Sequence, residues 1–201
     1  MYNIINYLGT NWIELLGTIL SVIYLYLSIK QRIGLWLFGF LCSLLYVIVF
    51  FQAKFYADMS LQFYYLAVSI YGWINWRAKS QKYESVLAIS KTNLKSGIIF
   101  LLITVAIYFL YYYVLSKFTD SPLPRADSFT TALSIIATWM LARKKLEHWL
   151  LWIIIDSVSA GLYIYKGLYI TSILFGIYTI MAVVGYYQWR RSYLKIVNSN
   201  C

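Results

Sequence analysis

The chain has 201 residues, 62% of them hydrophobic and 12% charged, with a mean hydropathy of +0.68. Soluble domains average ~45–50% apolar and ~25% charged, so this composition excludes a water-solvated fold and calls for lipid. The formal net charge of +10 concerns orientation rather than a nucleic-acid partner. With loops assigned to alternate sides, thirteen Lys and Arg fall on one side and four on the other. That imbalance follows the positive-inside rule and puts the N-terminus outside and the C-terminus in the cytoplasm.

Seven apolar segments approach the ~17–25 residues that cross hydrocarbon: 12–29, 33–51, 56–76, 97–116, 127–141, 147–165 and 169–189, the fifth being short. No basic stretch and no small-residue cleavage site precede the first, so it is read as a span and not a signal peptide. It opens with Trp12 and Glu14 at the outer interface. On the third span, Asp58, Gln62, Tyr65, Ser69, Trp73 and Trp76 step by three or four along one helix face. Gln62 either hydrogen-bonds a substrate or staples two helices. Residues 77–95 form a polar connection without apolar periodicity, and Tyr111, Tyr112 and Tyr113 suit an interfacial belt.

The sixth span carries the strongest functional signal. Trp149, Trp152, Asp156, Ser159 and Tyr163 share one face, with Asp156 near the midplane, where an ionised carboxylate costs ~2.5–3.5 kcal/mol on insertion scales. Two indoles, a carboxylate, a hydroxyl and a phenol suit a flat, positively charged aromatic molecule. The plainer alternative is a bundle-interior Asp bonded to neighbouring helices, with the tryptophans as interface anchors. Tyr178 and Trp189 on the seventh span could close the opposite wall. Cys42, Cys201 and the single histidine, His148, are not clustered. No metal, cofactor or disulfide framework is expected, and without a nucleophile–base pair no enzyme activity either.

A shift of 113 residues, without a gap, superimposes the two ends of the chain. Ser21 meets Ser134, Lys30 meets Arg143, Trp36 meets Trp149, Tyr65 meets Tyr178, Gly72 meets Gly185 and Trp76 meets Trp189. The expected fold is all-α and integral to the membrane, with two parallel three-helix repeats, 12–76 and 127–191. A connection and linker helix (77–126) joins them and a cytoplasmic tail (192–201) follows. Symmetry is broken where Asp156 faces Ser43, Trp152 faces Gly39 and Gln62 faces Phe175. A substrate site is expected between the repeats.

Several motifs together resemble the Pnu family of bacterial vitamin transporters. They are Glu14-x-x-Gly17, Phe55-Tyr56-Ala57-Asp58, Leu61-Gln62-x-Tyr64-Tyr65, Tyr71-Gly72-Trp73-x-x-Trp76, Asp127-Ser128-Phe129-Thr130-Thr131, Trp149-x-x-Trp152 and Lys166-Gly167-Leu168-Tyr169. The resemblance implies a SWEET-like three-one-three arrangement of seven transmembrane helices and a homotrimer in the bacterial inner membrane. It also implies facilitated diffusion of a vitamin that a cytoplasmic kinase then traps. Asp156 stands where nicotinamide riboside carriers of the family commonly have Asn, and the 127–131 stretch resembles the thiamine-type branch. The expected substrate is therefore thiamine, by a narrow margin over nicotinamide riboside. Trp149, Trp152, Asp156, Ser159, Gln62, Tyr65, Tyr178 and Trp189 are the expected substrate residues.

Overall fold

In hydrocarbon a backbone must satisfy its own N–H and C=O groups within the segment, which leaves long apolar runs no structure but helix. The computed structural model of the chain has seven helices among its described residues: α1 Trp12–Ile29, α2 Leu35–Gln52, α3 Tyr56–Lys82, α4 Leu94–Phe118, α5 Pro124–Ala142, α6 His148–Tyr165 and α7 Tyr169–Ser199. Backbone is described for 12–52, 56–82, 88–119, 121–165, 167 and 169–199, and side chains for these except 12–15, 52, 56–58, 78–82, 170 and 199. The expectations for Trp12, Glu14, Asp58 and Cys201 lie outside the described residues.

Leu94–Phe118, His148–Tyr165 and Thr171–Asn198 are long and apolar enough to cross a membrane, while Leu16–Ile29 and Leu35–Phe51 are shorter apolar helices. Four expected boundaries move by three residues or more, the fourth span beginning at Leu94 instead of 97. The short fifth span gains a turn at its start, because Pro124 can open a helix without losing a hydrogen bond. The third and seventh run past their closing tryptophans to Lys82 and Ser199. Their polar continuations have left the apolar run but keep helical propensity.

The chain divides into two compact units, Met1–Arg77 and Ala78–Cys201. In the first, α1 packs on α2. A Cβ on Gly17 would stand 3.1 Å from the Tyr46 ring, and one on Gly39 would stand 3.0 Å from the Tyr24 ring. In the second, α4 packs on α5, α5 on α6 and α6 on α7.

Each unit is tied by the same knot. In the first, Trp36 of α2 meets Trp76 of α3 edge to face, centroids 5.5 Å apart at 89°. Gly72, one turn before Trp76, leaves room for the indole: a Cβ there would lie 2.4 Å from the Trp36 ring. In the second, Trp149 and Trp189 stand 5.8 Å apart at 81°, and a Cβ on Gly185 would lie 2.6 Å from Trp149.

The turns leading into these knots also agree bond for bond. Gln31 and Lys144, 113 residues apart, both adopt left-handed backbone, with φ of +55° and +50°. Gln31 N donates to Ser28 O and Arg32 N to Leu27 O; Lys144 N donates to Leu141 O and Lys145 N to Met140 O. These are Schellman closures in which a non-glycine occupies the position that glycine favours.

One feature is found, among the described residues, in the second unit alone. Ser90 lies alongside the α5–α6 turn, its N donating to Lys144 O at 3.1 Å and its carbonyl accepting from Leu146 N at 3.0 Å. Glu147 accepts from Thr92 N at 3.0 Å and Thr92 Oγ1 at 2.8 Å. The end of the stretch read as a polar connection thus straps the turn. Ile89 and Leu146 are buried in the strap, and so is Lys144, whose amine is pushed down to about 8 by burial.

Candidate substrate site on α6

Asp156 is the ninth of the eighteen residues of α6. It is 6% exposed and forms no hydrogen bond or ion pair among the described residues. Ser159, one turn on, is likewise buried and without such a bond. Trp152, one turn before Asp156, is half-buried. A carboxylate withdrawn from water and given no partner is costly unless something else meets it.

Beyond Ser159 the same face continues into an aromatic group. Tyr163 lies 5.0 Å from Phe175 of α7, and Phe175 lies 5.7 Å from Tyr178. Ser172 Oγ donates to Ala160 O at 2.9 Å and holds the two helices together beside it. The α6–α7 hairpin therefore lines up Trp152, Asp156, Ser159 and Tyr163, with Tyr178 supplied by α7.

Trp149 and Trp189 lie elsewhere, in the knot two turns before Asp156, 1% and 0% exposed. His148 completes their packing, its ring 4.6 Å from Trp149 and 4.8 Å from Trp189. Its Nδ1 bonds Lys145 O at 2.6 Å. His148 is fully buried, because two indoles stack around it. The 113-residue register carries the missed signal: its counterpart is Leu35, also 0% exposed.

In the first unit, Gln62 is half-buried and forms no hydrogen bond among the described residues. Tyr65 is half-buried against Tyr64, ring centroids 5.7 Å apart. A groove of about 230 Å³ in this unit, lined by Trp36, Phe40, Ser69 and Trp73 among others, contains none of the expected substrate residues. Its lining is apolar, and it carries none of the charge chemistry that Asp156 offers.

Helices long and apolar enough to cross a membrane, one of them with a carboxylate buried at mid-length, are the features of a multi-pass membrane protein. The chain matches, over residues 11–191, the sequence model of a family described as "Nicotinamide mononucleotide transporter". It is 30% identical to the nicotinamide riboside transporter PnuC of Escherichia coli (strain K12), over 90% of this chain and 86% of that protein. It is 27% identical to the riboflavin/roseoflavin transporter RibM of Streptomyces davaonensis, over 89% of this chain and 84% of RibM. Its fold matches the crystal structure of the vitamin B3 transporter PnuC with a TM-score of 0.73 at 21% identity, covering 96% of this chain and 87% of that one. The chain belongs to the nicotinamide mononucleotide transporter family and is a multi-pass inner-membrane protein.

The expectation of thiamine is corrected by the chain's relatives, among them four nicotinamide riboside transporters PnuC. The reason lies in the residue that suggested it. A carboxylate complements any permanent ring cation, so Asp156 does not separate one cationic vitamin from another.

Proposed function

We propose that the chain is a uniporter for nicotinamide riboside, by facilitated diffusion. The observation that carries this reading is Asp156, buried at the middle of α6 without a partner among the described residues. The pyridinium of the riboside supplies the missing positive charge, and an aromatic face such as Trp152 adds ~0.5–2 kcal/mol when dry. Ser159 and Tyr178, in the same unit as Asp156, orient the substrate through hydrogen bonds and ring contact. Trp149 and Trp189 are packed against each other in the knot and serve as the scaffold beneath it.

The riboside is preferred to the mononucleotide of the family's description on electrostatic grounds. The middle of no span carries a lysine or arginine, so a phosphate would meet Asp156 with no compensating cation. Riboflavin, the cargo in the name of RibM, has a neutral ring and gives the carboxylate nothing to neutralise.

The proposed arrangement is three-one-three and SWEET-like, with the N-terminus outside and the C-terminus in the cytoplasm, as the thirteen-to-four division of basic residues supports. A homotrimer and trapping by a cytoplasmic kinase complete the proposal, both carried over from the family resemblance.

Counterflow of labelled nicotinamide riboside in proteoliposomes tests the reading. Exchange should be competed by unlabelled riboside, and poorly by the mononucleotide or riboflavin. Absence of exchange rejects it, and stronger competition by the mononucleotide rejects the charge argument.

A further inference from the structure

The second unit gathers positive charge where its strap, its turn and the end of α7 meet. Lys145 Nζ donates to Lys91 O at 3.2 Å, and Lys91 Nζ lies 5.4 Å from the ring of Tyr193 on α7. Arg190 precedes Tyr193 by one turn and shares its face. Lys95 stands in the first turn of α4. The carboxylate within this group, Glu147, is engaged by Thr92 N and Oγ1. Against that single negative charge stand four positive ones, Lys91, Lys95, Lys145 and Arg190, so the cluster stays strongly cationic.

An apolar stripe begins beside the cluster. Leu94, Ile98, Leu101, Leu102 and Val105 of α4 are 81%, 51%, 63%, 64% and 44% exposed, and their spacing places them on one side of the helix. A phosphate-bearing head above an acyl chain has the matching shape: charge at the cluster, hydrocarbon along α4.

We infer that Lys91, Lys95 and Lys145, with Arg190 beside them, form a binding site for an anionic phospholipid whose acyl chain lies along α4. The strap builds the site, since its hydrogen bonds to the α5–α6 turn bring Lys91 to Lys145. The first unit has Gly34 in place of Glu147 and lacks a counterpart to the strap among its described residues. The site is therefore assigned to the second unit alone.

The test uses the full chain in phosphatidylcholine nanodiscs containing some phosphatidylglycerol, with retained lipid counted by native mass spectrometry. The wild-type chain should retain phosphatidylglycerol selectively. The Lys91→Gln/Lys95→Gln/Lys145→Gln variant should hold it roughly 100-fold more weakly, given the usual strength of juxtamembrane lysines. The corresponding triple arginine variant should keep it, which separates lost charge from lost folding. Lys117→Gln, at the other end of α4, should also keep it. Equal retention by the wild type and the glutamine variant overturns the site. Displacement of the lipid by inorganic phosphate at matching concentration also overturns it, in favour of a free-phosphate site.

Discussion

The stretch from α1 to α3 and the stretch from α5 to α7 share their ends and differ in their middles. Both close the first turn with a left-handed residue, Gln31 or Lys144, and both seat an indole on a glycine, Trp36 on Gly72 and Trp149 on Gly185. Halfway along the second helix of each, the first half has Gly39, Ser43 and Tyr46 where the second has Trp152, Asp156 and Ser159. Tyr46 fills the space above Gly17, whereas Ser159 is short and Asp156 has no partner among the described residues. Equal ends with unequal middles separate the scaffold from the proposed site: packing constrains the knot, and the middle is free to specialise.

The largest expected effect tests that separation at the middle. Asp156→Ala should lower the uptake efficiency of nicotinamide riboside by about 100-fold, because it removes the buried counter-charge of a cation. Its counterpart Ser43→Ala should change uptake by no more than about two-fold. Vesicle uptake rates decide; equal losses would mean that the halves share the site evenly.

At the ends the halves should respond alike. Gly72→Ala and Gly185→Ala each push a methyl against an indole and should cost about 1–3 kcal/mol, measured by thermal unfolding in detergent. If one were neutral, the knots would not be equivalent. A smaller gain is expected at the turns, where Gln31→Gly relieves a left-handed non-glycine and should stabilise the chain by about 1 kcal/mol. A lowered melting temperature would show that the Gln31 side chain contributes more than its backbone costs.

The smallest effect distinguishes the turns by charge. Lys144 is buried with its amine lowered from 10.5 to about 8, so between those values the unfolded chain binds more protons than the folded one. Stability should therefore rise as pH climbs from about 8 toward 10.5. Lys144→Met should remove that part of the rise, whereas Gln31→Met should leave it. Melting temperatures across this pH range give the answer.

Much of this was legible in the sequence because lipid imposes a simple code. Apolar length gave the seven helices, and the 113-residue register gave both the equivalent turns and the equivalent knots. Helical periodicity also put Trp149, Trp152, Asp156 and Ser159 on one face. It does not report depth along that face, and Trp149 stands two turns from the carboxylate, inside the knot. The strap was hidden for another reason: Ser90 and Thr92 find Lys144, Leu146 and Glu147 more than fifty residues away, and nothing local in 88–93 encodes a partner. His148 reads as polar in isolation, yet it fills an apolar position once Trp149 and Trp189 enclose it.

The seating of an indole on a bare backbone makes two residues into one inherited character. In each half a tryptophan is followed thirty-six positions later by a glycine and four after that by a second tryptophan. Enlarging the glycine while the first indole stays creates a collision; shrinking the indole alone opens a void. The trio thus acts as a ruler within the chain, able to phase one three-helix half against the other even where every remaining side chain has drifted.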